Sequence, residues 1–317
     1  MTLDDLQNWI LDYEDISKLE QYKNICLDFL QVIVDEKTTK IISPSTPNYF
    51  FYQYTAEYRY TISRPINGDL FIEQKQEFND AFDRFYAFLP MIRQYEGEIS
   101  NQCRCKPYLD TGEINKVVYT IQQSIGCVGD SFENANQSRK RVGDLFETLI
   151  RLIIREVGLT CNSRTIFIPV PELLDVEMQY QLDLVFSRNQ TELTEENPFI
   201  ALDEVVGSVK TTSKDRIDKI YLDKFLLSKF LNRNIPFIAI FLHDVQRSTG
   251  RKKSDKFNIN ATFKTNHFLT YSVSLTRLDG VYYVDPRPDM ISNPLLKERI
   301  SDFQTFLVSD LWRLSHV

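Results

Sequence analysis

Glycine, histidine and tryptophan are scarce in this chain, and it has no long apolar run. The 317 residues include 10 Gly, 3 His and 2 Trp against 22 Phe and 16 Tyr, a balance that argues against a fibrous or disordered polymer. No stretch of about eighteen apolar residues is present, and the first five residues include two Asp and no basic residue, whereas a signal peptide would begin with basic residues. We therefore expect a cytoplasmic protein with a substantial buried core.

Cysteine is also sparse, and its spacing is irregular. The five cysteines are an odd number without a repeated interval, which argues against a secreted disulfide framework and favours reduced thiols. Cys103 and Cys105 are one residue apart, but no second pair of Cys or His follows at zinc-finger spacing, and the three histidines are scattered. Zinc is therefore not expected.

Positive charge is in deficit overall but is locally concentrated. The net charge of −7 argues against a nucleic-acid partner, because nonspecific phosphate binding is largely electrostatic. A local basic cleft is still compatible with that total. Basic residues gather in three segments, 139–141, 210–219 and 247–256, each of which would by itself usually be a solvated loop.

Residues 1–137 are expected to form a helical and β-hairpin arm that packs on a core. The apolar spacing predicts helices over 6–16, 22–34 and 76–95, the last with an end or kink near Pro90. Asn67-Gly68 predicts a hairpin between segments 49–63 and 70–73.

Residues 138–317 change to a regular α/β pattern, which predicts a mixed β-sheet core flanked by helices. The predicted elements are a helix over 141–157, strands over 165–170, 181–187 and 199–210, a helix over 214–231, a central strand over 237–242, a hairpin of 273–278 with 281–284 around Asp279-Gly280, and a closing helix over 295–314.

Asp183 is a carboxylate within an apolar strand segment, where burial is costly unless the group is paired or binds a cation. Lys210 ends another apolar strand, and alternation places Ser208 on the same face. Neighbouring strands would aim Asp183 and Lys210 at one point. Phosphodiester hydrolysis uses such groups, since carboxylates hold Mg²⁺ and lysine stabilises the transition state. Alone, however, a buried Asp near a Lys is more often a structural pair.

Asp183 with Ser208-Val209-Lys210 resembles the PD-(D/E)xK nuclease motif, in the variant carried by type II restriction endonucleases that cut sites with a CCGG or CCNGG core. In that variant the first position of the (D/E)xK element, here Ser208, is not acidic. A carboxylate on the following helix takes over the role of the missing acid. The resemblance implies a restriction-endonuclease-like fold, a Mg²⁺ cofactor, a double-stranded DNA substrate and a place in a restriction-modification system. It covers residues 139–245.

Asp223 follows Lys210 by thirteen residues and matches the replacement acid, although the family more often has Glu there. The resemblance thus implies Asp183 and Asp223 as metal ligands. Glu204 is the alternative, since it shares strand parity with Lys210, but it would lie about 13 Å from Ser208 at about 3.3 Å per residue.

The segment from Arg141 to Glu147 resembles the R-x-G-x-x-F-E helix found before the catalytic strands of many nucleases with this fold. The likeness implies that Glu147 supports a second metal or orients a water. An ordinary i,i+4 surface pair with Arg151 is the alternative, and Gly143 would then be a close-packing point.

Lys214-Asp215-Arg216 follows the proposed catalytic lysine, and Thr211-Thr212-Ser213 is a good N-cap cluster for the next helix. Arg or Lys can donate to guanine O6 and N7, and Asp accepts from cytosine N4. The restriction enzymes that the chain resembles carry such a triplet at this offset and read CC:GG half-sites with it. The alternative is a charged first turn with an Asp215–Lys219 pair.

One such triplet covers half a palindrome, so a two-fold homodimer is expected, while assembly into tetramers is left open. Some relatives stack an extruded base on an aromatic ring, for which the candidates are Trp9, Tyr52 and Tyr58. Two other functions remain open at this point: a structure-specific repair or recombination nuclease, and a DNA-binding protein without catalysis.

Overall fold

The structure is a computed structural model that describes residues 2–12, 16–36, 38–56, 59–170, 173–190, 192–248 and 256–316. Its internal contacts divide the chain into two compact units. The first comprises Met1–Phe88, Thr111–Leu149 and Asp244–Thr262, and the second comprises Leu89–Asp110, Ile150–His243 and Phe263–Val317. The boundary expected between residues 137 and 138 falls inside a helix of the first unit, and the arm of residues 1–137 stays a prediction.

Helices account for much of both units. They are α1 (Leu3–Asp12), α2 (Leu19–Asp35), α3 (Lys75–Tyr95), α4 (Lys106–Leu109), α5 (Glu113–Gly129), α6 (Ala135–Glu156), α7 (Ile217–Phe230), α8 (Thr265–Ser274), α9 (Pro288–Ser292), α10 (Pro294–Lys297), α11 (Phe303–Thr305) and α12 (Leu311–Leu314), with a 3₁₀ turn at Ile99–Asn101 and a π-helical segment at Phe306–Asp310. No helix among the described residues is long and apolar enough to cross a membrane.

Strands of 2 to 11 residues complete the secondary structure. They are β1 (Thr39–Ile42), β2 (Tyr49–Ala56), β3 (Arg59–Ile62), β4 (Ile66–Asn67), β5 (Thr160–Pro169), β6 (Glu177–Ser187), β7 (Val205–Thr212), β8 (Phe237–His243), β9 (Val245–Arg247), β10 (Ile259–Ala261), β11 (Gly280–Tyr283) and β12 (Ile300–Asp302).

The first unit contains a small antiparallel sheet of β1, β2 and β3, with β4 added to the start of β2. The predicted hairpin at Asn67-Gly68 is wrong, because β4 pairs with β2 and residues 70–73 form no strand. The Gly68 N–H donates to the Asn48 carbonyl at 2.7 Å, so this turn closes onto the start of β2. The helix predicted over 76–95 is confirmed as α3, which continues through Pro90.

Helix α5 is the buried centre of the first unit and had no counterpart in the sequence analysis. All its residues except Lys116 are buried. Two of its buried amide nitrogens are hydrogen-bonded to main-chain carbonyls: Gln122 donates to the Val142 carbonyl at 3.0 Å, and Gln123 donates to the Pro65 carbonyl at 3.0 Å. Buried polar groups of this kind are tolerated only when they are hydrogen-bonded. They also disguise the apolar periodicity by which a helix is recognised.

The second unit is built on a mixed sheet in the order β12-β11-β8-β7-β6-β5. The strands from β12 to β7 are parallel to one another, whereas β6 and β5 are antiparallel to their neighbours. β8 lies at the centre, and all seven of its residues are buried. The central strand predicted over 237–242 is therefore confirmed, as is the mixed α/β class.

Two predictions near the C-terminus are wrong. Residues 265–274 form α8, and β11 runs parallel to β8 and β12, so Asp279-Gly280 joins no hairpin. The Asp279 carboxylate instead accepts from the Phe237 N–H at 2.7 Å, which fixes the entry to β11 against β8. The helix expected over 295–314 is interrupted by β12, and Asp302 caps the restarted helix by accepting from the Thr305 N–H at 2.9 Å.

Strands β6, β7 and β8 pack closely at Gly207 on β7. A Cβ atom there would lie 2.6 Å from Leu184 Cδ1 and 3.1 Å from Ile238 Cγ1. At Gly143 on α6 a Cβ atom would meet nothing within 4 Å, so the suggested close-packing role of Gly143 is wrong. Glycine is thus required sterically at Gly207 and not at Gly143.

We predict that Gly207→Ala destabilises the protein by about 1–3 kcal/mol, because the methyl group forces Leu184 and the sheet to shift. Gly143→Ala is the matched control and should stabilise by about 0.5–1 kcal/mol, since alanine is the better helix former. Thermal unfolding followed by circular dichroism measures both. Equal melting temperatures for the two variants would contradict the packing assigned to Gly207.

Candidate active site

A β-bulge on β6 surrounds Asp183. The pairing of β5 with β6 runs through Asn162↔Val185 and then shifts to Arg164↔Leu182. Asp183 and Leu184 therefore stand opposite the single residue Ser163. Bulges bend a strand and redirect its side chains, and they are common beside active sites.

The ladder between β6 and β7 ends at the Leu184↔Gly207 pair, immediately before Asp183. Beyond that pair, hydrogen bonds to the Asp183 side chain take the place of backbone–backbone hydrogen bonds between the two strands. Its Oδ2 atom accepts from Ser208 Oγ at 2.9 Å, from the Val209 N–H at 2.9 Å and from Lys210 Nζ at 2.6 Å. One carboxylate oxygen thus joins β6 to β7, and the structure brings Asp183, Ser208 and Lys210 together as the sequence predicts.

Arg151 on α6 holds the main chain at the bulge. Its Nη1 atom donates to the Asp183 carbonyl oxygen at 2.7 Å. From the sequence, Arg151 was expected only as an alternative partner for Glu147. A charged donor on the carbonyl restrains the backbone that carries the carboxylate, so Arg151 is a positioning residue for Asp183.

A cleft of about 450 Å³ opens where β6 and β7 separate. Asp183, Ser208 and Lys210 line it from the strands, and Asp223 lines it from α7. The acid on the helix and the acid on the strand therefore face one space. The sequence pattern placed both residues in one site, and the cleft contains both.

Asp223 forms an i,i+4 ion pair with Lys219, at 2.5 Å between Nζ and Oδ2. The Asp223 side chain is 22% exposed and that of Lys219 is 66% exposed. Tyr180 also lines the cleft. Burial raises the pKa of Tyr180 to about 12, and the negative charge of Asp223 contributes to the rise. Tyr180 was not identified from the sequence, because its local pattern does not connect it with the cleft.

Glu204, the alternative acid, belongs to a different interaction. Its carboxylate accepts from both terminal nitrogens of Arg164, at 2.6 and 2.7 Å, and from the Ala201 N–H at 2.8 Å. The residue is 5% exposed and does not line the cleft. Glu204 is therefore a structural ion-pair partner.

Helix α7 is attached to the sheet by a buried lysine. The Lys224 side chain is 2% exposed, and its Nζ donates to Asp279 Oδ2 at 2.6 Å and to the Arg277 carbonyl at 2.5 Å. The same Asp279 oxygen accepts from the Phe237 N–H of β8. Lys224 adjoins Asp223 in sequence, so the anchored residue and the acid of the cleft are neighbours on α7.

The triplet Lys214-Asp215-Arg216 occupies the turn between β7 and α7, because α7 begins at Ile217 and not at residue 214. All three residues are exposed, and Arg216 lines the cleft. Asp215 has φ = 53°, a left-handed conformation that Asp tolerates better than most residues. The N-cap expected within Thr211-Thr212-Ser213 is not formed, because α7 begins at Ile217 and its N-cap is Arg216.

The remaining candidates lie in the first unit or outside the described residues. Glu147 is half-buried on the part of α6 that belongs to the first unit, and its metal-supporting role stays a prediction. Tyr52 is 4% exposed and donates to Glu73, so it is not available to stack on a base. Trp9 is half-buried, and Tyr58 lies outside the described residues. Most of the basic segment 247–256 also lies outside them.

The donor set of the cleft fits a hard divalent cation that is held partly by substrate. Among the described residues, no group of three or more His, Cys, Asp or Glu side chains converges. Asp183 and Asp223 supply two carboxylates to the cleft. Mg²⁺ usually keeps several waters and takes only one or two carboxylates together with substrate phosphates. A fully preformed cage is therefore not required.

Comparison with known proteins supports the fold assignment. No protein-family model matches the sequence, and no curated protein matches it significantly. The crystal structure of the type IIP restriction endonuclease Kpn2I superposes with a TM-score of 0.65 at 17% identity, over 99% of this chain and 96% of that one. A complex of the restriction endonuclease PspGI with its substrate DNA gives a TM-score of 0.39 at 11% identity, over 71% and 92% of the two chains. The likeness to Kpn2I shows a restriction-endonuclease-like fold.

We predict that Glu204→Gln destabilises the protein by about 3 kcal/mol, because it leaves the Arg164 guanidinium half-buried without a compensating charge. Asp223→Asn removes one partner of an exposed helix pair and should change stability by less than about 1 kcal/mol. Thermal or urea unfolding distinguishes the two acids. A larger loss for Asp223→Asn than for Glu204→Gln would reverse the assignment of structural and cleft roles.

Proposed function

We propose that the protein is a Mg²⁺-dependent type II restriction endonuclease that hydrolyses both strands of duplex DNA at a short palindrome with a CC/GG core. The proposal rests on one observation above all: Asp183, Lys210 and Asp223 line a single cleft in a fold similar to that of Kpn2I. Fold alone does not determine function, so the arrangement of the site carries the argument.

The chemistry assigns a role to each side chain in the cleft. Bound Mg²⁺ would neutralise charge on the scissile phosphate and lower the pKa of the attacking water. Asp183 and Asp223 are the residues that would hold it. Lys210 is placed to stabilise charge on the phosphate as the new bond forms. Ser208, which fills the vacated acidic position, donates to Asp183 and so helps to fix the carboxylate.

The triplet Lys214-Asp215-Arg216 is proposed to read the CC:GG half-site. Its three side chains are exposed in the turn that enters α7, beside the cleft that Arg216 lines. Lys214 and Arg216 would donate to guanines, and Asp215 would accept from cytosines. A turn with a left-handed residue at its centre directs three successive side chains differently from a helix, which suits contact with neighbouring base pairs.

A homodimer completes the proposal. One chain supplies one cleft and one triplet, whereas a palindromic duplex presents two scissile phosphates and two half-sites. Two copies related by a two-fold axis would place one cleft on each strand. That arrangement would allow both strands to be cut in one binding event.

We predict that Asp183→Ala and Lys210→Ala each abolish cleavage, because they remove a metal ligand and the phosphate-stabilising cation. The assay incubates purified protein with a mixed plasmid library and Mg²⁺, followed by sequencing of the cut ends. Specific DNA binding should remain measurable for both variants. Lys229→Ala is the control, since Lys229 is exposed on the last turn of α7 and does not line the cleft.

Discrete fragments from the wild-type protein would support a restriction enzyme. Nicks confined to junctions or branched DNA would indicate a structure-specific nuclease, and retarded but intact DNA would indicate a binding protein without catalysis. Normal cutting by Asp183→Ala or Lys210→Ala would show that the site is elsewhere.

We predict that Arg216→Ala loses discrimination at one G·C pair, at a cost of about 1–3 kcal/mol, because it removes donors to a guanine edge. Cleavage rates on oligonucleotides with single base-pair changes measure that loss. Lys229→Ala should keep the wild-type preference at every position. An unchanged site preference in Arg216→Ala would refute the base-reading role.

A further inference from the structure

Each carboxylate that lines the cleft forms an ion pair with a lysine. Lys210 Nζ lies 2.6 Å from Asp183, and Lys219 Nζ lies 2.5 Å from Asp223. With Arg216, three cationic and two anionic side chains line the cleft. The cleft is therefore net positive, although the whole chain carries −7.

A free divalent cation entering this cleft meets an unfavourable field. It must compete with Lys219 for the Asp223 carboxylate, and it stays near the remaining positive charges. A DNA phosphate meets the opposite situation, because it is attracted by the same cations. The charge arrangement thus favours DNA as the first ligand of the cleft and the metal as the second.

The two lysines differ in how easily they can move. Lys210 is 30% exposed, and its partner Asp183 also accepts from Ser208 and the Val209 N–H, so this pair belongs to a fixed cluster. Lys219 is 66% exposed, and its pair with Asp223 is an i,i+4 contact on the helix surface. Such exposed pairs are weak, and the flexible lysine stem can carry its ammonium group to another anion.

We propose that Lys219 is a counter-ion that keeps Asp223 from holding a divalent cation until a DNA phosphate draws the ammonium group away. This inference rests on the proposed function and adds an order of binding, in which DNA enters the cleft before the metal. Metal and DNA bind cooperatively, and Lys219 carries part of the coupling between them. Because coupling is reciprocal, metal tightens DNA binding by the same factor as DNA tightens metal binding.

The experiment measures Mn²⁺ binding to the DNA-free protein by isothermal titration calorimetry. Lys219→Met keeps the aliphatic stem and removes the charge, and it should tighten Mn²⁺ binding about threefold to tenfold. Lys229→Met on the same helix is the matched control and should bind Mn²⁺ as the wild type does. The double variant Lys219→Met/Asp223→Asn should lose the gain, since the released carboxylate is then absent.

A second measurement tests the coupling itself. DNA affinity is compared with and without Mn²⁺ in the cleavage-deficient Lys210→Ala background. Adding Lys219→Met should reduce the factor by which Mn²⁺ tightens DNA binding, by about the same threefold to tenfold. Lys229→Met in the same background should leave that factor unchanged.

Two results would overturn the inference: equal Mn²⁺ affinity for Lys219→Met and Lys229→Met, or a gain that survives Asp223→Asn. The proposed function fails separately. If the wild type cuts no DNA but Lys219→Met still gains Mn²⁺ affinity through Asp223, the counter-ion role stands and the nuclease proposal falls. If the wild type cuts DNA and Lys219→Met gains nothing, only the counter-ion role is wrong.

Discussion

The candidate site depends on a single oxygen atom, Asp183 Oδ2, which accepts three hydrogen bonds from β7 at the point where the β6–β7 ladder ends. A carboxylate in a mostly buried position is tolerated only with such partners. The bulge turns Asp183 toward β7, Arg151 holds its carbonyl, and Gly207 lets the strands approach closely just before they separate. The opening beyond that point is the cleft.

The parts of the fold that depend on local pattern could be predicted from the sequence. The continuous apolar run at 237–242 indicated the central strand, and the apolar face of 141–157 indicated most of α6. Asp183 and Lys210 stood out because charged residues in apolar strands are costly. The pairing of distant segments could not be predicted in this way. Asp279-Gly280 has the composition of a hairpin turn, yet the Asp279 carboxylate bonds to Phe237 and Lys224, more than forty residues earlier in the chain.

The same limit applies to the site. Alternation along β6 predicts its facing residues only if the strand is regular, and the extra residue at Asp183–Leu184 breaks that condition. Tyr180 had no sequence signal either, because five consecutive residues of β6, 179–183, line the cleft and alternation does not single it out. The start of α7 was misplaced by three residues, because Thr211-Thr212-Ser213 has capping composition but Ser213 is buried. Local propensity was overruled there by tertiary packing. The net charge gave no information about the cleft, since total charge and local field are independent quantities.

Asp223 and Lys224 are adjacent on α7 but have different surroundings. Asp223 lines the cleft, whereas Lys224 is buried and ion-paired with Asp279. Successive residues of an α-helix point about 100° apart. The buried lysine therefore sets the rotation of α7 about its own axis. A shift of the helix by one residue would turn Asp223 out of the cleft. A carboxylate delivered from a helix is aimed less rigidly than one fixed within a strand. The adjoining Lys224–Asp279 anchor restores that angular precision for Asp223.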